Sequence, residues 1–419
     1  MINYDKFATV LRNQGVLFLF RKVGQIILSN IKRIILTLLV NLSGELGKGL
    51  NICGYFRYMF GNAETARTFV YLYQETKLKY FLLNINAGPH TKVPKEEIKS
   101  LKRKFVNYPI YKKNLFFVNG NAIEALYKSF PQYFKNRYNM AVWWWEFETG
   151  MESYIKGFQY LDEIIVYTEF IKDALLKLPI GKCKISKMTY PFVDNWIILR
   201  KEKENRDIYG LSENDFMFFF NFDYYSSYRR KNPEAVVTAF SKAFKNNLNA
   251  KLIIKTTNYE KFPEQVKMLD QLIHDKGIEK KVISLNNGLS RNEMITLIST
   301  IDCYVSLHRG EGLGLGMLEA MFLGKPVIAT GYGGNVEFMN SENSMLVKYQ
   351  LIRANDDYEV YKNVKMWADP DIDQAAYYMK LIVNDKTKRE IYKKKAKESI
   401  YQKYDKRKII KEMSRFIEQ

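Results

Sequence analysis

The stretch "HRGEGLGLGMLEAM", residues 308–321, combines glycines, carboxylates and an apolar run that favours a helix. Glycine occupies every second position from 310 to 316, and two glutamates, Glu311 and Glu319, bracket seven residues. Packing of a core does not require glycines at this density beside a carboxylate. Glycines before a helix let the backbone approach a ligand and leave amides free, and these amides together with the positive helix end bind phosphate. The stretch therefore predicts an anion-binding loop.

The residues that follow extend this prediction. A glycine and a proline in "GKPVIAT", residues 324–330, end the helix and lead into a strand. The next stretch, "GYGGNVEF" (331–338), is a second glycine loop at the tip of that strand and contains Gly334. Two such loops can embrace one ligand that carries a diphosphate and a polar part. Glu311 could hydrogen-bond sugar hydroxyls there, and Glu319, about two helical turns later, could take ribose hydroxyls.

Two carboxylates beside a diphosphate would repel it unless cations intervene. The cations available for this purpose are Arg230, Lys231 and Arg309. A single glycine-rich helix start is most simply a tight structural turn. Here the spacing of the glutamates, the position after a strand and the cations agree, which favours the ligand-binding interpretation.

Two series of short, β-rich apolar runs alternate with helix-length segments after residue 49. The predicted strands cover residues 50–54, 80–84, 115–118, 140–145, 164–168 and 187–191, and then 216–221, 251–255, 282–285, 303–307, 327–330 and 345–347. This alternation predicts parallel sheets built from βαβ units. The charged stretch 200–215 separates the series, which predicts two doubly wound domains. Their predicted bounds are 49–205 and 206–385, after a helical extension (1–48) and before charged helices (386–419).

Composition agrees with this organisation. The chain has 419 residues, of which 47% are apolar and 26% charged, as in an ordinary globular protein with two cores. Its three cysteines lie far apart without metal-ligand spacing, so we expect buried thiols in a reducing cytoplasm. The formal charge of +20 favours polyanions such as nucleic acid, acidic lipid or phosphorylated substrates. The basic residues are scattered and no nucleic-acid-binding signature is present, so we expect no nucleic acid partner. A generally lysine-rich proteome would explain much of the charge.

Residues 16–40 have the pattern of an amphipathic helix. Apolar residues recur at helical spacing, at Phe20, Val23, Ile27, Ile31, Ile34 and Leu38, and basic residues such as Arg21 and Lys32 lie on the other side. The apolar run is too short to span a bilayer, and there is no signal-peptide cleavage pattern. Such a helix can lie in an anionic membrane interface. The alternative is a helix packed on its own protein.

The spacing of Glu311 and Glu319, with "GKPVIAT" and "GYGGNVEF" after them, resembles the EX7E signature of retaining nucleotide-sugar glycosyltransferases of family 4 ("glycosyl transferases group 1"). Residues 221–244, "NFDYYSSYRRKNPEAVVTAFSKAF", are similar to the opening of that group's second domain. "GYFRYMFGNAETAR" (54–67) resembles its glycine-bearing first loop, and "VWWWEFE" (142–148) a polysaccharide-biosynthesis branch.

This resemblance implies a GT-B fold, in which two Rossmann-like domains face each other across a cleft. It implies that Glu311 contacts the transferred sugar and acts in catalysis, Glu319 the ribose and Lys231 the diphosphate. The implied donor-binding residues are Glu319, Lys231, Arg230, Arg309, Gly312, Leu313, Gly314 and Gly334. The group usually has an arginine several residues before the lysine, where this chain has Asp-Tyr-Tyr-Ser-Ser, and Arg229, Arg230 or Arg309 would substitute.

On the acceptor side the chain also departs from the group. Many members carry a histidine that faces the cleft from the first domain, whereas this chain has "WWWEFE" at that place. The replacements are Glu146, Glu148 or His90, and Gly61 of the first loop is a further acceptor-side residue. The acidic "DPDID" (369–373) is more simply a helix cap than a metal site, so we expect no cofactor and no metal.

The expected function is transfer of a hexose from a UDP- or GDP-sugar to a glycan or lipid-linked acceptor, with retention of configuration, in surface polysaccharide or glycolipid assembly. We expect a cytoplasmic protein that is peripheral at the inner face of the plasma membrane. Two alternatives stay open at this point. One is a GT-B nucleotide-sugar epimerase or hydrolase, and the other is a non-catalytic partner that binds nucleotide sugar and supports another transferase.

Overall fold

The computed structural model describes residues 48–88, 92–192, 206, 212, 214–246, 249–286, 288–355 and 359–418, and the single positions 24, 27, 28, 31, 34, 35 and 38. Two six-stranded parallel sheets form, one on each side of the charged stretch. Every predicted strand is present, although the strands Lys113–Phe116, Tyr138–Val142 and Lys184–Lys187 begin two or three residues earlier than predicted. The prediction of two doubly wound domains is therefore confirmed.

The amino-terminal sheet has the strand order β2-β1-β3-β4-β5-β6. Its strands are β1 (Leu50–Gly54), β2 (Tyr80–Asn84), β3 (Lys113–Phe116), β4 (Tyr138–Val142), β5 (Glu163–Val166) and β6 (Lys184–Lys187). Every residue of β1 and β5 is buried, as expected of central parallel strands covered on both faces. The strand order reverses between β1 and β3, so the loops after these strands diverge and leave a crevice.

The carboxy-terminal sheet has the order β12-β11-β10-β7-β8-β9. Its strands are β7 (Phe216–Asp223), β8 (Ala250–Thr257), β9 (Val282–Leu285), β10 (Cys303–Ser306), β11 (Val327–Thr330) and β12 (Met345–Val347). Here the order reverses between β7 and β10. The loops after these two strands contain the predicted cations and the glycine-rich stretch, so the fold brings them to the point where ligands of doubly wound sheets bind.

Helices connect the strands. They are α1 (Gly61–Tyr73), α2 (Gly120–Ser129), α3 (Pro131–Phe134), α4 (Glu169–Leu176), α5 (Tyr228–Lys231), α6 (Pro233–Phe244), α7 (Pro263–Lys276), α8 (Arg291–Thr300), α9 (Leu315–Phe322), α10 (Ile372–Asn384), α11 (Lys386–Lys403) and α12 (Lys406–Glu418). The predicted charged carboxy-terminal helices are α11 and α12. Helix α12 packs on the amino-terminal domain, where Lys406 pairs with Glu75 at 2.9 Å and the Glu412 carboxylate accepts from the Thr189 amide at 3.1 Å.

The structure adds an antiparallel hairpin that the sequence did not predict, β13 (Tyr349–Arg353) and β14 (Met366–Pro370). Every residue of β13 is exposed, so the strand has no buried face and shows no hydrophobic alternation. Trp367 of β14 is buried in the apolar cluster that contains Trp145 and Phe147. The hairpin therefore follows the carboxy-terminal sheet in the chain but packs on the amino-terminal domain.

Two smaller predictions are confirmed. Cys53, Cys183 and Cys303 are buried free thiols. In "DPDID" the Asp371 side chain caps α10 by accepting from the Gln374 amide at 2.9 Å.

Most of residues 1–48 lie outside the described residues, as do most of the predicted domain boundary near 200–215 and the acceptor-side residue His90. The positions of the predicted amino-terminal helix that are described are helical, and their apolar side chains are exposed. These side chains are Ile27, Leu28, Ile31, Ile34, Ile35 and Leu38. No helix in the described part of the chain is long and apolar enough to cross a membrane.

Candidate active site

A cavity of about 270 Å³ lies between the two domains. One wall comes from the loops after β1, β3 and β4, and the other from the loops after β7 and β10. The switch point of each sheet therefore supplies part of the lining. The glycine-rich stretch contributes six consecutive lining residues, from Gly312 to Met317, together with Glu311.

The first turn of α9 faces this cavity. Gly314 directly precedes the helix with φ of 92°, a left-handed conformation that favours glycine. Leu315, Gly316 and Met317 then line the cavity. Backbone N–H groups of a first helical turn have no partner inside the helix, and the helix end carries partial positive charge. The amides at the start of α9 therefore face the cavity, and anion binding by them stays a prediction.

The glycines also allow backbone segments to approach each other. The Gly312 carbonyl accepts from the Thr168 hydroxyl of the amino-terminal domain at 3.2 Å, and a Cβ at this position would lie 2.8 Å from the Trp145 carbonyl oxygen. Gly334 of the second loop donates its amide to the Glu311 carbonyl at 2.6 Å. A Cβ on Gly334 would lie 1.8 Å from the Gly312 oxygen. Glycine is therefore required for contact between the two domains and between the two loops.

Glu311 and Lys231 form the central ion pair of the cavity. The Lys231 ammonium lies 2.6 Å from Glu311 Oε2, and both residues line the cavity. Burial by itself would raise the pKa of Glu311, but the charges of Lys231 and Arg230 outweigh this effect and lower it to about 2. Glu311 is therefore an ionised hydrogen-bond acceptor and a very weak base at neutral pH.

Arg230, the neighbouring predicted cation, has a different role. Its side chain is buried and donates to the carbonyl oxygens of Gly310 at 2.8 Å and Ser226 at 3.0 Å. These bonds connect the loop after β7 to the glycine-rich loop. Arg230 therefore holds the loops together while its charge acts on Glu311 from 3.9 Å.

Glu319 is buried away from the cavity lining. Its carboxylate accepts from Arg291 of α8 at 2.6 Å, and the same guanidinium lies 3.6 Å from Glu64 of α1. Burial raises the pKa of Glu319, and the charge of Arg291 opposes this shift only in part. The ion cluster joins a helix of each domain. Contact between Glu319 and a ribose stays a prediction, and such contact requires one carboxylate oxygen to remain accessible beside Arg291.

Two other residues of the glycine-rich stretch, Arg309 and His308, make contacts that hold the loop in shape and do not line the cavity. Arg309 pairs with Asp369 of the hairpin at 3.1 Å and stacks over Trp367, so it does not line the cavity. Its predicted contact with a diphosphate remains a prediction, and the geometry favours Lys231 for that contact. His308 is buried and neutral because burial lowers its pKa. Its ring bonds the Tyr332 carbonyl at 2.9 Å, which shapes the loop.

The acceptor-side predictions fall in different places. Gly61 and Glu146 line the cavity, and a Cβ at Gly61 would meet open space. Glu148 is exposed and does not line it. Of the three tryptophans, Trp143 and Trp145 are fully buried and Trp144 lines the cavity.

The structure also adds lining residues that the sequence did not single out. Asn119 follows β3, Asp223 ends β7, Ser226 lies in the loop after it, and Asn62 lies in the first turn of α1. Asn119 and Asp223 lie within two residues of the end of a predicted strand, which was the available signal for these two. Tyr361, which lines an adjoining cavity, had no such signal, because it lies between the two strands of the unpredicted hairpin. Among the described residues, no group of three His, Cys, Asp or Glu side chains could hold a metal ion. Independence from metal stays a prediction.

Two parallel-sheet domains that face each other across such a cavity define the GT-B fold. Solved structures share it. HepE of Anabaena, in complex with UDP-glucose, has a TM-score of 0.67 at 13% identity and covers 88% of this chain and 99% of that one. A glycosyltransferase from Rickettsia africae has a TM-score of 0.66 at 13% identity, with 88% and 98% covered. At these identities the likeness establishes the fold alone.

The sequence comparisons point to the carboxy-terminal part of the chain. Residues 202–399 match the family model "Glycosyl transferases group 1". This stretch carries Lys231, Glu311 and Glu319, so the resemblance to group 1 is confirmed for the part of the chain that contains them. A curated relative, N-acetyl-alpha-D-glucosaminyl L-malate synthase of Bacillus anthracis, is 29% identical over 147 residues. That match covers 35% of this chain and 35% of the relative.

Proposed function

We propose that the protein is a retaining glycosyltransferase that moves a hexose from a UDP- or GDP-sugar to a glycan or lipid-linked acceptor in surface polysaccharide or glycolipid assembly. The observation that carries this proposal is the Lys231–Glu311 pair. It lies at 2.6 Å in a cavity between two GT-B domains, beside the free amides at the start of α9. A cation, a helix end and an ionised carboxylate in one cavity suit a ligand with a diphosphate and a hydroxyl-rich sugar.

Each of these groups has a part in the proposed reaction. The donor diphosphate binds at the first turn of α9, where backbone amides and the Lys231 ammonium neutralise its charge. The bond between the anomeric carbon and the diphosphate oxygen breaks, and a bond to the acceptor oxygen forms on the same face. The acceptor proton passes to the leaving diphosphate. Lys231 stabilises the charge that develops on that group, and Glu311 holds the sugar by its hydroxyls.

The choice of nucleotide rests on a structural neighbour. HepE of Anabaena was solved with UDP-glucose, at a TM-score of 0.67 to this chain. This favours a UDP-sugar for the present protein over the GDP-sugar alternative. The curated relative is named as a glucosaminyl malate synthase, which also favours a sugar-transfer reaction.

The alternatives fit the geometry less well. An epimerase or hydrolase needs a strong base near the anomeric carbon, whereas Lys231 and Arg230 keep the pKa of Glu311 at about 2. A non-catalytic binding partner would not need an ionised carboxylate paired at 2.6 Å inside the cavity.

One experiment separates these functions. Release of the nucleoside diphosphate, UDP or GDP, is measured from a panel of UDP- and GDP-sugars, chosen first by thermal shift, with and without a panel of methyl glycosides as acceptors. A transferase releases nucleotide diphosphate faster with an acceptor, and a hydrolase releases it equally in both cases. A binding partner shows a thermal shift without release. Release of the nucleoside diphosphate at the same rate with and without acceptor would contradict the proposal, and so would the absence of any release.

We further propose that the protein is cytoplasmic and peripheral at an anionic membrane, which it contacts through residues 16–40. The support is that Ile27, Leu28 and Ile31 are 53%, 67% and 47% exposed on a helical segment, so this apolar face is not packed on the described protein. Basic residues at positions 21, 22, 32 and 33 suit anionic lipid. Each contributes about 1 kcal/mol near such a surface, so changing all four to Gln should largely abolish sedimentation with anionic liposomes. Unchanged sedimentation would contradict the proposal.

A further inference from the structure

A second cavity, of about 510 Å³, adjoins the first. Both cavities are lined by Glu146 and Arg230. The second one continues to Asn121, Tyr225 and Tyr361, so it reaches from the ion pair towards the amino-terminal domain and the hairpin. A molecule in this cavity would therefore lie next to a sugar held by Glu311.

The lining of the second cavity suits a saccharide. It combines asparagine amides, a serine hydroxyl, tyrosine rings and one glutamate. Amides and hydroxyls both donate and accept hydrogen bonds, as sugar hydroxyls require. Aromatic faces can stack on the apolar face of a sugar ring.

Tyr361 joins this cavity from the segment between β13 and β14. Its hydroxyl donates to Glu146 Oε2 at 3.1 Å. The ring is buried against Trp145 at 5.6 Å and Phe147 at 5.1 Å, between centroids. Burial raises the pKa of Tyr361 well above its ordinary value, so the phenol stays protonated and serves as a donor. The packed aromatic rings fix the direction in which it donates.

The same ring also contacts the donor side. The Arg230 guanidinium lies 5.7 Å from the centre of the Tyr361 ring, within the range of a cation–π contact. Arg230 in turn holds the carbonyl of Gly310, the residue before Glu311. Tyr361 therefore contacts the acceptor-side carboxylate and one of the groups that position the donor-side carboxylate.

We infer that Tyr361 is a positioning residue for Glu146, and that the oriented Glu146 carboxylate receives a hydroxyl of a saccharide acceptor. This inference rests on the proposed function. A carboxylate has about four lone-pair sites, so the bond from Tyr361 leaves acceptor capacity for a sugar hydroxyl. The hairpin would thus help to choose the acceptor, although it follows the donor domain in the chain.

The test compares Tyr361→Phe with the parent in steady-state UDP release. The donor is the UDP-sugar that gives the parent its highest rate, and the acceptor probe is the methyl glucoside, galactoside or N-acetylglucosaminide that accelerates release most. Phenylalanine keeps the ring packing and removes only the donated hydrogen bond. We expect KM for the glycoside to rise about tenfold, whereas KM for the UDP-sugar stays within about twofold.

Glu146→Gln should raise the KM for the glycoside to a similar extent. The double variant should have a glycoside KM no higher than that of the poorer single variant, because both substitutions disrupt the same Tyr361–Glu146 hydrogen bond. Tyr138→Phe is the matched control. It removes a hydroxyl that donates to the Glu163 carboxylate at 3.0 Å outside both cavities, so it should leave both KM values unchanged.

An unchanged glycoside KM in Tyr361→Phe, or additive losses in the double variant, would overturn the inference. A change in both KM values would instead assign Tyr361 a general structural role and also overturn it. Failure of the proposed function looks different, because the parent itself would then show no acceptor-dependent release.

Discussion

Glu311 and Glu319 lie eight residues apart on one loop and helix, but the protein surrounds their carboxylates differently. Glu311 faces the cavity, where two cations lower its pKa to about 2. Glu319 is buried behind the cavity, where burial raises its pKa and Arg291 compensates only in part. One short motif thus places an ionised carboxylate in the cavity and a buried carboxylate in an ion cluster that links helices of the two domains.

The largest effect is expected from the glutamate in the cavity. Glu311→Gln keeps the size and shape of the side chain and removes its charge, so it weakens the hold on the sugar and leaves the phosphate-binding amides intact. We expect kcat to fall about 100- to 1000-fold, the usual cost of losing one preorganised group that stabilises a transition state. UDP binding, measured by calorimetry, should persist. A kcat equal to that of the parent would show that Glu311 takes no part in the reaction.

Glu319→Ala should act on stability and on donor affinity. Removing one partner of a buried ion pair leaves an uncompensated charge and costs about 3–5 kcal/mol. Arg291 retains Glu64 at 3.6 Å, so we expect the free energy of unfolding, measured in urea, to fall by about 3 kcal/mol, near the lower end of this range. KM for the donor should rise with a smaller effect on turnover at saturation. A pure turnover defect in a fully stable variant would contradict both the ion-cluster role and the ribose role.

The two adjacent cations, Lys231 and Arg230, should also differ in what they contribute. Lys231→Ala should weaken UDP binding by about 1.5–3 kcal/mol, because a charge-assisted hydrogen bond to phosphate is lost. Arg230→Ala should mainly lower the free energy of unfolding, since Arg230 bonds the carbonyls of Gly310 and Ser226. Calorimetry with UDP and urea unfolding of both variants check this. Loss of UDP affinity in Arg230→Ala together with loss of stability in Lys231→Ala would instead assign phosphate binding to Arg230 and the structural role to Lys231.

The sequence predicted the sheets and the loops that line the cavity for a physical reason. Buried parallel strands are continuous apolar runs, and the residues directly after them must converge at the carboxyl edge of the sheet. Arg309 shows the limit of this reasoning. Its position in the loop was predictable, but its partner Asp369 lies in a hairpin whose exposed strand has no hydrophobic period. For the same reason Tyr361 was not predicted.

The contribution of the two glutamates to stability should depend on pH in opposite ways. The lowered pKa of Glu311 means that its stabilising contribution is present above the unfolded-state value of about 4.3 and is lost as pH falls towards about 2. The raised pKa of Glu319 means that its contribution is present below about 4.3 and is lost as pH rises through its folded-state value.

Unfolding of the Glu311→Gln and Glu319→Gln variants in urea, from pH 3 to pH 7, measures these contributions. The difference in free energy of unfolding between the parent and Glu311→Gln should be constant above about pH 5 and shrink below it. The difference in free energy of unfolding between the parent and Glu319→Gln should instead shrink as pH rises through the folded-state pKa of Glu319. Parallel pH profiles would show that the two carboxylates are not in the different environments described.

The smallest effect is expected from removal of metal ions. In many sites a divalent cation neutralises the charge that develops on a leaving diphosphate. Here the Lys231 ammonium and the amides at the start of α9 lie beside the cavity and can supply that neutralisation. We therefore expect the rate of sugar transfer to be unchanged by EDTA, both in the parent and, at its lower level, in Lys231→Ala. A loss in the parent that added Mg²⁺ or Mn²⁺ restores would show that the cavity needs a metal. EDTA sensitivity confined to Lys231→Ala would show that a metal can substitute for the lysine.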